Sequence, residues 1–554
     1  MWSYGIAAVV AAILTHLTTT AHGFIWDDPL VLEQIRHIRG LGDILVPPPS
    51  IPHFYYRPLV FLTFLIDRAL GGESPFWFHL TVVLWHGLTT GLVFLLARRL
   101  LGDSHSLEAG RAALLFAVHP VHVESVAWIA GRSDVIASAF VVAALLCSAR
   151  IEQAWTAWAA GACVLAGLLA KEVAIAAAIL IPARDLLVDR RFVWQRQVPL
   201  VLAIALYLGL RQSGLGTVVT GDPTGGEAVA LGRSLLAALG WYAAKLVVPW
   251  SLQPYVPEVP LAQAYEIAGL AAVLFIGGLL AWAAFTGRGV LAFLLVWLPA
   301  ALAPSLLVIV RRSASAVLAE RYLYLPSIAW VLLLGWALSR LRSSSQRRVL
   351  VGACAAIVMV AAWTSVSRAR VWADDLTFWS HVARVVPEAA MPRRELAAAF
   401  LKRERFDEAE RELEAALPLP GPVEERAMTY NNLGNLFLRR DDLDAAGSAF
   451  QSGVDLRPHP HLFNGLGRVA MKRGERAARE GDGKEAMRQI ALARGFLERA
   501  IDLDGRDYKS HALLGQVLFN LNDRDGARRH LEASLAIEPT GPIADSTRRF
   551  LAKL

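Results

Sequence analysis

The chain has 554 residues, 55% of them hydrophobic, with 17 tryptophans and a formal net charge of +7. That is too apolar for a soluble globular chain and implies a polytopic membrane protein. The charge gives no indication of nucleic acid, because the basic residues mostly punctuate apolar runs; the three cysteines, Cys147, Cys163 and Cys354, all lie inside such runs, which excludes a disulfide framework.

Charge density rises sharply near residue 370, so the composition predicts a membrane domain over 1–370, a linker over 371–388 and a soluble region beyond it. The first apolar run, Ile6 to Leu17, reads as an uncleaved helix. Ala21-His22-Gly23 has the small residues of a cleavage site, but no positive segment precedes the run and many spans follow it. Phe24-Ile25-Trp26-Asp27-Asp28-Pro29 comes next and places two carboxylates where a membrane helix ends. Like charges side by side at a lipid boundary are costly, and one of the pair should have a raised pKa. Chemistry and helix capping both account for Asp27 and Asp28, since Asp before Pro is a common helix start.

A helix needs about 20 apolar residues to cross a bilayer. The candidate spans are 2–21, 77–98, 111–130, 133–150, 154–170, 172–188, 197–212, 262–285, 289–310, 322–340 and 348–367, about eleven, with an amphipathic run over 231–250 placed near the outer surface. With the N-terminus inside, the short inner loops hold Arg98, Arg99, Arg111, Arg150, Arg184, Arg190, Arg191, Arg196, Arg288, Arg340, Arg342, Arg347 and Arg348, the bias expected of cytoplasmic loops. An odd number of spans then puts the soluble region outside, facing the same compartment as Asp27 and Asp28.

The first outer loop, 22–76, is long. It carries Pro47-Pro48-Pro49 and Tyr55-Tyr56-Arg57-Pro58-Leu59, and is expected to form short helices on the membrane surface. The same topology places further polar clusters at outer span ends: His119-Pro120-Val121-His122-Val123-Glu124 with Gly131-Arg132-Ser133-Asp134, then Lys171-Glu172, and Ala319-Glu320-Arg321-Tyr322-Leu323-Tyr324-Leu325-Pro326. One shared depth is what a single site built from several helices requires. Singly, each has a plainer explanation. Lys171-Glu172 and Glu320-Arg321 read as local ion pairs, and His119, His122 and Glu124 lack the helical spacing of a metal-ligand set.

The soluble region is a repeat array over 389–540, with units at 389–421, 427–458, 460–505 and 508–539 and a capping helix at 541–554. Tyr430, Leu433-Gly434, Phe437, Ala446, Phe450, Gly453 and Pro458 match the 34-residue tetratricopeptide pattern of alternating small and large packing positions. Leu514-Gly515, Leu518, Ala527, Leu531, Ser534 and Pro539 repeat it; the unit with Leu466-Gly467 carries 14 extra residues between its two helices. Stacked helix pairs of this kind leave a concave groove suited to an extended peptide.

Together, Trp26-Asp27-Asp28, Tyr56-Arg57-Pro58-Leu59, the His119-to-Asp134 stretch, Ala170-Lys171-Glu172 and Ala319-to-Pro326, followed by the repeats, resemble one family. It is the transmembrane and tetratricopeptide-repeat O-mannosyltransferases of the GT-C superfamily, and the short array makes this chain look like a bacterial relative. The resemblance implies an all-α fold, a GT-C-like membrane helix bundle followed by a short TPR solenoid. It implies a glycosyltransferase that moves mannose or a related hexose from a polyprenyl-phosphate carrier to a protein Ser or Thr hydroxyl, with inversion, on the outer face of the cytoplasmic membrane. Asp27 would be the general base and Asp28 would hold that base or the acceptor in place. Arg57, Arg132, Lys171 and Arg321 would be candidates for stabilising the leaving phosphate. His119, His122, Glu124, Asp134, Glu172, Glu320 and Tyr322 would complete the substrate site. No metal is implied; the partners would be the lipid-linked sugar, membrane lipid and an acceptor polypeptide held in the TPR groove. Two rivals share the same features: a TPR-bearing membrane scaffold for an envelope complex, and a lipid-linked sugar transporter.

Overall fold

A computed structural model describes residues 2–38, 40–47, 55–149, 153–217, 228–311, 316–341 and 344–554, without the side chains of 154, 228 and 344–348. Pro48, Pro49, Arg150 and Arg342, and the side chains of Arg347 and Arg348, lie outside the described residues. The described chain is all-α, with one isolated antiparallel bridge between Val256 and Leu318. It divides into two compact units, Met1–Phe378 and Trp379–Leu554.

The first unit opens with α1 (Trp2–His16), α2 (Asp28–His37), α3 (Leu41–Leu45), α4 (Pro58–Gly71) and α5 (Pro75–Leu101). It continues with α6 (Ser106–Val118), α7 (Val123–Ala127), α8 (Arg132–Ser148), α9 (Ala154–Ala170), α10 (Ala177–Leu187) and α11 (Trp194–Leu215). It closes with α12 (Ala228–Val247), α13 (Gln263–Phe285), α14 (Gly289–Arg311), α15 (Tyr324–Ser339) and α16 (Ser344–Ala369). Eight helical stretches among the described residues are long and apolar enough to cross a membrane, so this is a multi-pass membrane unit.

Eight is fewer than the eleven expected, because the runs 111–130, 154–170 and 172–188 form helices too short to be counted. The run 111–130 is broken: α6 stops at Val118, His119 before Pro120 is extended (φ −66°, ψ 126°), and short turns follow as far as Gly131. The run 172–188 becomes a 3-10 turn, Glu172–Ala176, and an 11-residue helix, Ala177–Leu187, that carries Pro182 inside it. Trp155–Ala170 is apolar but shorter than a full span. The amphipathic run at 231–250 forms α12, which packs along α13. The crossing needs glycine on both sides: a Cβ on Gly240 would lie 1.9 Å from Tyr265 O, and one on Gly269 would lie 1.9 Å from Leu236 O.

Residues 371–388, expected to be a linker, hold a 3-10 turn at Arg370–Trp372 and the helix α17 (Asp375–Val385). Trp372 and Phe378 are buried aromatics, and that apolar pattern is why the stretch folds.

The second unit is an array of antiparallel pairs: α18 (Ala390–Lys402) with α19 (Phe406–Ala416), α20 (Val423–Arg439) with α21 (Leu443–Leu456), α22 (Pro460–Arg479) with α23 (Gly483–Leu503), and α24 (Tyr508–Asn520) with α25 (Arg524–Ile537). The helix α26 (Gly541–Leu551) follows. The extra residues of the third pair make no loop. They lengthen both helices, to 20 and 21 residues against 13 and 14 in the fourth pair. The small-large code is steric: a Cβ on Gly434 would lie 2.6 Å from the Phe450 ring. Asp442, Asp482 and Asp523 each cap the second helix of a pair, accepting from the backbone N–H of Ala445, Glu485 and Gly526.

Candidate active site

The segment after α1 is fixed by its backbone. Gly23 N–H donates to Ala373 O at 2.9 Å, and Trp26 takes φ 55°, a left-handed conformation that costs a bulky L-residue about 1–2 kcal/mol. Aromatic contacts hold it there: the Trp26 ring stacks on Trp128 with centroids 5.0 Å apart and planes at 17°, and packs against Tyr255 and Phe378. This turn presents Asp27 and Asp28 in different directions.

Asp28 is buried, and its carboxylate is fully used. It accepts from Ile25 N at 3.0 Å and from Ala130 N at 3.1 Å, tying the entry of α2 to the turn before α8. Asp27 caps α2 only through its backbone carbonyl, which accepts from Leu30 N and Val31 N. Its Oδ1 is buried with no hydrogen-bond partner. The side chain lines a cavity of about 70 Å³ with Arg57, Arg321, Trp128, Tyr55 and Ser133. Burial raises the Asp27 pKa, opposed by the charges of Arg321 and Arg57. Burial, and then Asp27 beside it, holds Asp28 well above the usual carboxylate range. Repulsion between like charges, the cause expected from sequence, contributes at Asp28, but burial comes first for both members.

The four candidate cations separate. Arg57, one residue before α4, has its guanidinium over the Tyr55 ring at 4.4 Å and makes no ion pair among the described residues. Arg321 is paired with Glu124 and also donates its backbone N–H to that carboxylate at 3.0 Å, while its guanidinium lies 5.2 Å from the Trp128 ring centre. Lys171 donates to Asp134 at 2.6 Å and sits 5.0 Å from the Tyr322 ring centre; burial pushes its pKa down to about 8, against the pull of Asp134. Arg132 does not reach the cavity. It is fully buried, paired with Asp67, and donates to Phe78 O at 2.7 Å and Thr63 Oγ1 at 3.2 Å.

The remaining motif residues have structural partners. Glu172 pairs with Arg211 at 2.6 Å rather than with Lys171, and Glu320 pairs with Arg368 at 2.7 Å rather than with Arg321. The local ion pairs read from sequence are thus replaced by long-range ones. His119 Nε2 faces Leu246 O at 3.2 Å, and His122 Nε2 faces Ser327 Oγ at 2.8 Å. With Glu124 on Arg321, these three motif side chains point to three separate partners. Tyr322 lies between Arg321 and Lys171, 5.0 Å from each.

Sequence reasoning missed Asp67, whose other oxygen accepts from Thr81 Oγ1 at 2.6 Å. The available signal was a lone carboxylate inside the apolar run Pro58–Gly71, which implies a hidden cation. It also missed Trp128 as a wall of the cavity. The arrangement offers a half-buried carboxylate with a free oxygen, facing a small cavity with two guanidinium groups and aromatic walls. That is a proton acceptor beside an anion site.

No protein-family model matches the chain. The curated relatives include protein O-mannosyl-transferase TMTC2 of Mus musculus, 37% identical over 161 residues, 26% of this chain and 18% of that protein. Protein O-mannosyl-transferase Tmtc1 of Drosophila melanogaster is 34% identical over 197 residues, 33% of this chain and 23% of that protein. The chain thus spans less than a quarter of the length of these two relatives, and the resemblance read from its motifs is the one they bear. Among solved structures, ArnT from Cupriavidus metallidurans bound to undecaprenyl phosphate has 16% identity and a TM-score of 0.39, covering 85% of this chain and 80% of that one. A thermophilic TPR protein of Thermus thermophilus has 22% identity and a TM-score of 0.26, covering 30% of this chain and 80% of that one. Both scores fall below that of a shared fold.

Proposed function

We propose that the chain is a membrane glycosyltransferase that moves a sugar, mannose or a related hexose, from a polyprenyl-phosphate carrier to a Ser or Thr hydroxyl of a protein. The observation that carries this reading is the division of labour at 27–28: Asp28 is spent on two backbone N–H groups, while Asp27 keeps an unpartnered oxygen on a cavity with Arg57 and Arg321. The names of the curated relatives support the activity.

In this reading Asp27 takes the proton of the acceptor hydroxyl as its oxygen attacks the anomeric carbon. The bond from that carbon to the carrier's phosphate oxygen breaks on the opposite face, so configuration inverts and the polyprenyl phosphate leaves. Arg57, with no carboxylate partner, neutralises the leaving phosphate. Arg321, kept in place by Glu124, contributes its remaining donors. Asp28 is a positioning residue, and Arg132 with Asp67 holds the turn that carries Ala130. The site faces the outside of the cytoplasmic membrane, and the reaction needs no metal.

The direct test is transfer of a labelled sugar from polyprenyl phosphate to protein in membranes that contain the chain. Transfer absent from folded enzyme would favour a scaffold or a transporter. The repeat array binds the acceptor and raises its concentration near the enzyme through the covalent tether alone. Deleting 380–554 should then spare transfer to a short peptide at high concentration and reduce transfer to a full-length protein. Equal transfer to both by truncated and intact chains would remove the delivery role.

A further inference from the structure

Three loops distant in sequence meet around a second cavity, of about 760 Å³, whose walls include Arg190, Arg288, Arg340 and Trp336. Arg190 lies between α10 and α11, Arg288 between α13 and α14, and Arg340 directly after α15. Among the described residues no acidic one lines the cavity. The three arginines form no ion pairs among the described residues, although neighbouring Arg184 and Arg196 are both paired with Asp189. Arg190 donates one bond, to Gly287 O at 2.7 Å. Arg288 has its guanidinium carbon over Trp282, 4.0 Å from a ring centre, and that of Arg340 lies 5.5 Å from a ring centre of Trp336. Stacking occupies the faces of these groups and leaves their N–H edges free. The α14 helix begins at Gly289 on the cavity wall, adding the positive end of its dipole.

The depth of this cavity follows from the helices. The stretch Glu320–Ser339 starts beside the Arg321–Glu124 pair and ends at Arg340; its 20 residues cover roughly 30 Å, the thickness of a bilayer's hydrocarbon core. The second cavity therefore sits at the headgroup level of the leaflet opposite the Asp27 site. It lies on the arginine-rich side, where membrane proteins meet anionic lipid. Cationic edges without counter-ions, flanked by tryptophans at that depth, match a phosphate diester whose acyl chains stay in the bilayer.

We propose that Arg190, Arg288 and Arg340 form a binding site for the headgroup of an anionic phospholipid, separate from the Asp27 site and independent of the reaction there. The probe is phosphatidylglycerol added to full-length protein in detergent, with phosphatidylcholine and inorganic phosphate as comparison arms. Bound lipid is counted by native mass spectrometry, and thermal unfolding is followed in parallel. Phosphatidylglycerol should remain bound and raise the melting temperature; phosphatidylcholine and inorganic phosphate should do neither. An arginine at an anionic lipid surface contributes roughly fivefold in affinity, so Arg288→Gln/Arg340→Gln, which keeps the Arg190–Gly287 bond, should weaken phosphatidylglycerol binding roughly 25-fold. Its melting temperature without lipid should match the parent's. Equal response of the parent chain to phosphatidylglycerol and phosphatidylcholine would overturn the proposal, whatever the variant does. So would undiminished binding by the double variant, and stabilisation by inorganic phosphate alone would make the site one for free anions instead of lipid.

Discussion

Met1–Phe378 holds a set of hidden ion pairs that join distant parts of the chain, beside exposed ones such as Arg36–Glu73 and Arg233–Glu266. Arg132–Asp67, Lys171–Asp134, Arg321–Glu124 and Arg368–Glu320 all have side chains 12% exposed or less. In Trp379–Leu554, Arg405–Glu408, Arg488–Glu485 and Arg494–Glu498 lie within one helical turn and face solvent. The same chemistry therefore serves two purposes. Where helices present apolar faces to lipid, a buried pair can specify which helices meet, and losing one partner strands a charge. Where water is at hand, pairs add little and the array rests on caps and apolar packing. Beside these paired charges, Asp27 and Arg57 share one cavity and form no ion pair among the described residues.

The largest effect should come from the unpaired carboxylate. Asp27→Asn keeps the shape but accepts no proton, and transfer should fall by about 10²–10⁴-fold with unfolding unchanged. Near-normal turnover would move the base elsewhere, while coupled loss of folding would place Asp27 among the structural charges. Asp67→Asn should do the reverse. It leaves Arg132 buried and unpaired, which typically costs about 3–5 kcal/mol, read as a lower unfolding midpoint in detergent. An unchanged midpoint would mean that this pair does not specify the packing of α4.

Arg57→Gln probes both halves of the site at once. Loss of a charged hydrogen bond to the leaving phosphate should raise the KM for donor by roughly tenfold to a hundredfold and leave that for acceptor unchanged. The pH profile supplies a second reading. Arg57 lowers the Asp27 pKa, so its removal raises that pKa further. The base then protonates at higher pH, and the acid limb of kcat/KM should move upward. A stationary limb would place Arg57 outside the electrostatic reach of Asp27.

Local pattern explains what could be read before the structure. The helix pairs of the array were legible because each packing position repeats at a fixed offset, as Gly434 against Phe450 shows. The Asp27 turn, Arg57 and Arg321 were legible because polar clusters recur at span ends, and all three line one cavity. The span number was less so, because hydropathy windows run through His119–Pro120 and through the turn at Glu172–Ala176 without registering that the helix stops there. Partner choice was hidden for another reason. Glu124 and Arg321 are 197 residues apart and Arg132 and Asp67 are 65 apart, so adjacency in sequence suggested the wrong mates for Glu320 and Lys171. The left-handed Trp26 leaves no trace in a sequence, since its stability comes from Trp128 far along the chain.

The smallest effect belongs to the array and is the sharpest check on the comparison. Glu485 makes two good contacts, to Arg488 at 2.7 Å and to Gln489 at 2.7 Å, and its hydrogen bond to Arg488 draws its carboxyl down to about 2. By geometry it equals any pair in the bundle. Its solvent exposure, however, means that water and salt replace the arginine when the carboxylate is lost. Glu485→Gln should therefore leave the unfolding midpoint at neutral pH unchanged within error, at low and at high salt. The depressed pKa gives the sign of any residual effect: stabilisation would be present above the unfolded carboxylate's pKa and fade as pH falls toward 2, so the variant should lose the parent's slope only in acid. A midpoint shift as large as that of Asp67→Asn would show that exposed pairs hold the array together, and the contrast between the two units would fail.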